Sequence, residues 1–177
     1  KDMKQFIENE MTNYSQRITF GQSDLDKAIA KAKKFGLPLA ILFTSKPRTA
    51  PMTKFLSTEF RRRILIAEVP PTKNNQEIMK QFGISQSSKD GLPLLIVIPP
   101  GELVDLVNTN DAFVRYDGAE FTKRKLHSFL SQHALSSPVY NAKEVPMASE
   151  SGSEDQTTTS TKTSTQQSQA SPKHVEL

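Results

Sequence analysis

Three short apolar runs constrain this chain most: Leu39-Ala40-Ile41-Leu42-Phe43, Ile64-Leu65-Ile66-Ala67-Glu68-Val69 and Leu94-Leu95-Ile96-Val97-Ile98. Runs this short between turn signals read as strands, and with no polar alternation each must be covered on both faces. Segments of helical spacing supply the cover. Ser23 is expected to cap a helix running to about Phe35, with Asp24 and Asp26 in its first turn and Leu25, Ile29 and Ala32 facing inward. Gly36 would stop it. A second helix, Ala50 to Phe60, places Met52, Phe55, Leu56 and Phe60 on one side, where they read as core side chains. Gln76 to Phe82 is a third helix, closed by Gly83. Arg17-Ile18-Thr19-Phe20 and Phe113-Val114-Arg115-Tyr116 are short strand candidates. Thr122 caps a last helix through Leu126, Phe129 and Leu130 to about His133. The order β-α-β-α-β-α-β-β-α predicts an α/β fold: a central mixed β-sheet flanked by helices, its last two strands antiparallel neighbours.

The flanks have a different character. In Lys1 to Met11 the apolar residues Met3, Phe6, Ile7 and Met11 stand near helical spacing, but one such helix is too short to be stable alone. Residues 1–12 are therefore expected to end the last helix of a preceding domain, and the chain is read as the C-terminal part of a longer protein whose targeting segment lies upstream. Residues 13–135 would form the α/β domain. Residues 136–177 would be a linker and a disordered tail, because Ala148 to Pro172 is nearly all Ser, Thr, Gln, Gly, Asp and Glu and cannot offset its chain entropy by burial. The low mean hydropathy, −0.49, agrees with a polar extension on an ordinary domain.

Several chemistries are excluded by residue type. The chain has no cysteine, so it can neither exchange nor form a disulfide. His127, His133 and His174 lack metal-ligand spacing, so neither a metal site nor any cofactor is expected. No Gly-x-Ser-x-Gly or phosphate-cradling Gly-rich loop is present. Lys162 and Lys173 stand against Glu150, Glu154, Asp155 and Glu176 in the tail, a net −2 that leaves +6 on the rest of a +4 chain. That excess is scattered apart from Arg61-Arg62-Arg63 and Lys123-Arg124-Lys125, which read as helix-end or solvated charges; no nucleic-acid partner is expected. No run approaches the roughly 18–20 apolar residues that would cross a membrane.

Two short motifs speak to location. His174-Val175-Glu176-Leu177 is a variant of the tetrapeptide that returns soluble proteins to the endoplasmic reticulum (ER), which makes a KDEL-type retrieval receptor an expected partner and the ER lumen the expected compartment. Asn13-Tyr14-Ser15 is an N-glycosylation sequon, usable there if Asn13 is exposed.

The order of elements, with Gly91-Leu92-Pro93 opening the strand after the third helix, resembles thioredoxin-like domains, whose cis-proline Pro93 would match. An ungapped reading of Ala40 to Pro51 places Arg48 and Pro51 where redox-active relatives carry the cysteines of Cys-x-x-Cys. Arg48, Thr49, Ala50 and Pro51 thus form a degenerate active-site position. More narrowly, Ile41-Leu42-Phe43-Thr44 with Lys46, Leu56 and Phe60, then Lys80-Gln81-Phe82-Gly83-Ile84, Leu92 to Val97, Tyr116-Asp117-Gly118 and Phe129-Leu130-Ser131-Gln132, resemble a redox-inactive (b-type) domain of the protein disulfide isomerase family, most like fungal ER forms. Lys4 to Asn9 resembles the final helix of a catalytic domain of that family.

The resemblance implies a non-catalytic module of an ER disulfide isomerase-like protein, supporting oxidative folding by holding unfolded or partly folded clients while enzyme activity resides upstream. Ser45, Lys46, Pro47 and Leu92, beside Pro93, are the implied client contacts; the competing reading makes Pro93 purely architectural. The alternatives from other classes are a partner-binding module of an ER J-domain co-chaperone and a structural spacer.

Overall fold

The computed structural model describes residues 3–84, 92–104, 113–118 and 120–141. The three apolar runs are the central strands: β2 (Leu39–Phe43), β3 (Leu65–Val69) and β4 (Leu94–Ile98). β2 lies between β3, parallel, and β4, antiparallel. Two-residue strands β1 (Gln16–Arg17) and β5 (Val114–Arg115) flank them, β1 parallel to β3 and β5 antiparallel to β4. The sheet order is β1-β3-β2-β4-β5, so it is mixed, with an antiparallel end.

Strand alternation sorts the side chains into two rows. Leu39, Ile41, Phe43, Leu65, Ala67, Val69, Ile96 and Ile98 meet one face, covered by α2 (Gln22–Phe35) through Leu25, Ala28 and Ala32 and by α4 (Gln76–Gln81) through Ile78 and Met79. Ala40, Leu42, Ile66, Leu95 and Val97 meet the other, covered by Leu56 and Phe60 around α3 (Pro51–Glu59) and by Leu126 and Leu130 of α5 (Lys123–His133). Helices on both faces explain why these strands need no polar side; each buried Leu or Ile in the rows contributes roughly 1.5–3 kcal/mol. Met52 and Phe55 pack at the edge of the second cluster. Thr122 caps α5, accepting from the Lys125 N–H at 3.5 Å.

Three local expectations are corrected. α2 begins two residues earlier than a Ser23 cap would allow: its N-cap is Gly21, at φ 65°, and no side chain caps it. Only glycine fits there, because a Cβ would collide with the carbonyl of Asn74. Its buried face is Leu25, Ala28 and Ala32, with Ile29 only half-buried. The first strand ends at Arg17: the Ile18 N–H still donates to the Glu68 carbonyl of β3 at 2.8 Å, but the N–H groups of Thr19 and Phe20 turn away and donate to the Asp24 carboxylate at 3.0 and 2.9 Å. Those two donors, Phe20 foremost, and then Lys27 hold the Asp24 carboxyl well below the usual carboxylate range. At the far end Gly36 ends α2 in the left-handed conformation, φ 60°.

Preceding the sheet, α1 (Met3–Glu10) leaves Met3 and Phe6 exposed. The loop Ser85–Gly91 and the tail from 142, with His174, Val175, Glu176 and Leu177, lie outside the described residues.

Candidate functional site

Three strand ends meet at one edge of the sheet. Phe43, the last residue of β2, is in register with Val69 at the end of β3 and with Leu94 at the start of β4. The loop to α3 leaves from Phe43, and Leu94 follows Pro93, so sheet register alone brings Ser45–Pro51 and Pro93 to the same edge. The Leu92–Pro93 peptide bond is cis. Gly91, the first residue of that sequence motif, lies outside the described residues.

The loop is held by polar groups beneath it. The Thr44 N–H donates to the Val69 carbonyl at 3.1 Å and the Lys46 N–H to Thr44 Oγ1 at 3.1 Å. Pro51 takes the first position of α3, where its missing N–H costs nothing, and Ala50 before it is extended. The anchor is Glu68. It belongs to the row that faces α3, is 1% exposed, and accepts from Arg17 Nη1 at 3.0 Å and from Thr49 Oγ1 at 2.8 Å, all on Oε2. Arg17 extends the network upward, Nη2 donating to the carbonyls of Lys46 (3.2 Å) and Pro47 (2.8 Å). One carboxylate and one guanidinium thus fix both ends of the segment 46–49. A buried carboxylate so placed requires this pairing, since an unpaired charge there would be strongly destabilising.

Beside the same edge, Asn75 is fully buried and ties two strand ends together, Nδ2 donating to the carbonyls of Ile18 (2.9 Å) and Pro70 (2.8 Å). Its Oδ1 finds no partner among the described residues.

Above the anchor, Ser45, Lys46, Pro47 and Arg48 are exposed, Thr49 and Ala50 half-buried. Lys46 to Pro51 form one side of an open groove of about 650 Å³ that Asn9, Met11 and Asn13 also line, together with Lys54 of α3; Ser45 does not line it. Leu92 is placed differently from the other expected contacts: it is half-buried and packs against the α2/α4 core, while Pro93 is exposed. Asn13 is exposed at the groove, Oδ1 accepting from the Ser15 N–H (3.0 Å) and Ser15 Oγ (2.7 Å). Arg17 and Glu68 were not legible as partners from the sequence, being 51 residues apart; the available signal was one acid inside an otherwise apolar strand.

The arrangement cannot exchange disulfides. Arg48-Thr49-Ala50-Pro51 offers no thiolate, and the chain has no cysteine to supply one, so it lacks a thioredoxin-type active site. Glu68 is occupied from two sides and buried away from the groove. His127 lies against the Phe60 ring, 5.0 Å between centroids, with Glu59 Oε1 3.8 Å away, a surface contact remote from the loop. Among the described residues no cluster of His, Asp or Glu could hold a metal ion.

Comparison with solved structures establishes the fold as thioredoxin-like. The thioredoxin NaTrxh of Nicotiana alata superposes with a TM-score of 0.50 at 10% identity, over 70% of this chain and 95% of that one. A structure of ERdj5 gives a TM-score of 0.49 at 15% identity, over 72% of this chain but only 16% of that one. The first two thioredoxin domains of Naumovozyma dairenensis Eps1p give 0.46 at 16%, over 71% and 59% respectively. No protein-family model and no curated protein matches the sequence.

Proposed function

We propose that residues 13–135 form a redox-inactive binding module of an ER protein disulfide isomerase-like protein, which holds unfolded or partly folded polypeptide clients for disulfide chemistry carried out elsewhere in the full-length protein. The observation that carries this reading is the thiol-free loop 45–51, anchored from below by Arg17 and Glu68, its residues 46–51 open above to a groove, with Pro93 exposed at the same end of the sheet. An anchored loop loses little further entropy when an extended chain is laid against it. Even a weak site of this kind raises the concentration of client seen by a tethered catalytic domain. Contact falls to Ser45, Lys46 and Pro47 together with Pro93; Leu92 supports from within.

The tetrapeptide His174-Val175-Glu176-Leu177 supports residence in the ER lumen and recognition by a KDEL-type receptor. The exposed Asn13 is the glycan acceptor of this reading, and its glycan would stand on the groove rim, limiting which clients enter.

The test is amide chemical-shift mapping with a reduced, alkylated polypeptide. Shifts should concentrate at 45–51 and 93–94 and weaken at least threefold in Lys46→Glu. Shifts confined to other surfaces, or none at millimolar peptide, would discard the client-binding role and leave a spacer.

A further inference from the structure

The other end of α3 holds a second cavity, of about 270 Å³, that the loop groove does not explain. Its origin is a short strand. β1 pairs with β3 only at Ala67 and Glu68, so the first part of β3 has no strand neighbour on that edge. Tyr14 and Tyr140, which precede β1 and follow α5, close the gap instead, over a floor that includes Leu37, Ile64 and Ile66, with Phe35 at the side.

The cavity's charge is one-sided. Lys31, Arg61 and Arg62 line it and no Asp or Glu does. None of the three forms an ion pair among the described residues, whereas Lys27, Lys80 and Lys125 do. Arg61 stacks on the Tyr14 ring at 4.2 Å and Arg62 on the Tyr140 ring at 4.5 Å. A stacked guanidinium is fixed in plane while its N–H edges stay available, the arrangement that suits a planar anion held by paired hydrogen bonds. Apolar floor, aromatic walls and three unpaired cations are the complement of one molecule type: an apolar group carrying a carboxylate. The volume, at the low end for ligand pockets, restricts it to a single aromatic or branched group.

We propose that this cavity binds a carboxylate attached to a compact apolar group, either a small free acid or the last residue of a polypeptide. The site lies at the opposite end of α3 from the loop groove and shares no wall with it, so it stands whether or not that groove holds clients.

The protein carries its own reporter. It has three tyrosines and no tryptophan, and Tyr14 and Tyr140 are both in the cavity wall. Tyrosine emission of the full chain is titrated with N-acetylphenylalanine, with its uncharged amide, and with a hexapeptide ending in phenylalanine, free and amidated. The free acids should change the emission saturably, with the amides binding at least tenfold more weakly and the affinity falling as salt rises. Lys31→Ala, an exposed substitution, and Arg61→Ala should each weaken acid binding at least threefold with the thermal midpoint unchanged for Lys31→Ala. If the peptide acid matches the small acid, the ligand is a chain terminus; if only the small acid binds, it is a free metabolite. Equal response to acid and amide, or no response up to 10 times the concentration that saturates a millimolar site, overturns the proposal.

Discussion

The two ends of α3 use charge in opposite ways. At its start, Glu68 and Arg17 are committed to each other and to the loop: Oε2 of the acid is met by a guanidinium and a hydroxyl, and the guanidinium is met by two backbone carbonyls. At its end, Arg61 and Arg62 rest on tyrosine rings with no acid beside them among the described residues. Both regions are built from the same few residue types. Where a charge is buried, neighbours must complete it, and it becomes part of the architecture. Where it is left at the rim of a cavity, no buried acid has to be completed by it, and its N–H edges remain open to a ligand.

The comparison can be broken first at the buried pair. Arg17→Ala strands the Glu68 carboxylate and should cost about 3–5 kcal/mol in urea unfolding. The double variant Arg17→Met, Glu68→Leu should recover most of that loss, because an apolar pair needs no completion, yet it should leave the loop 46–49 less protected from amide exchange. A single Arg17→Ala loss below 1 kcal/mol would show that the pair is not structural. A smaller effect is expected at the other end. Arg62 sits at φ 63°, a conformation that disfavours every residue but glycine. Arg62→Gly relieves that while losing one ring contact, and should unfold within about 1 kcal/mol of wild type. A larger loss would make the base cations structural too and erase the contrast.

The third measurement concerns pH. The Asp24 carboxyl, held low by the N–H groups of Phe20 and Thr19, contributes stability that is whole above the unfolded carboxylate pKa of about 3.9 and is lost as pH falls below it. The difference in thermal midpoint between wild type and Asp24→Asn should therefore be larger at pH 7 than at pH 3. A difference that grows on acidification would be of the wrong sign for this account.

Much of this fold was legible because it depends on local pattern. The runs 39–43, 64–69 and 94–98 announce buried strands, and Gly36 and Thr122 act through their immediate neighbours. What escaped reading depends on contacts distant in sequence. Ser23 is a good cap in isolation, but the approach of Asn74 to Gly21 sets where α2 starts. The strand after Gln16 is shortened by a carboxylate from the following helix, which competes for the Thr19 and Phe20 amides. At the site, the run Ser45–Pro51 and its lack of thiols were evident from residue types alone. The pairing that anchors it was not, since Arg17 and Glu68 are brought together only when β1 joins β3. The arginine triplet likewise looked like solvated charge until the tyrosines from both flanks of the domain came to lie against it.

Those tyrosines have a mechanical consequence. Residues 14 and 140 wall one cavity, and the strand of chain between α5 and Tyr140 is fastened to the same turn, Leu135 N–H to the Arg63 carbonyl at 3.0 Å and Val139 N–H to that of Arg62 at 2.9 Å. The chain passes in and out of the sheet through a single doorway. A pull applied across residues 14 and 140 would load the arginine turn and its two stacked rings, together with the Tyr14 N–H bond to Ser57 Oγ at 3.0 Å, before it reached the central strands.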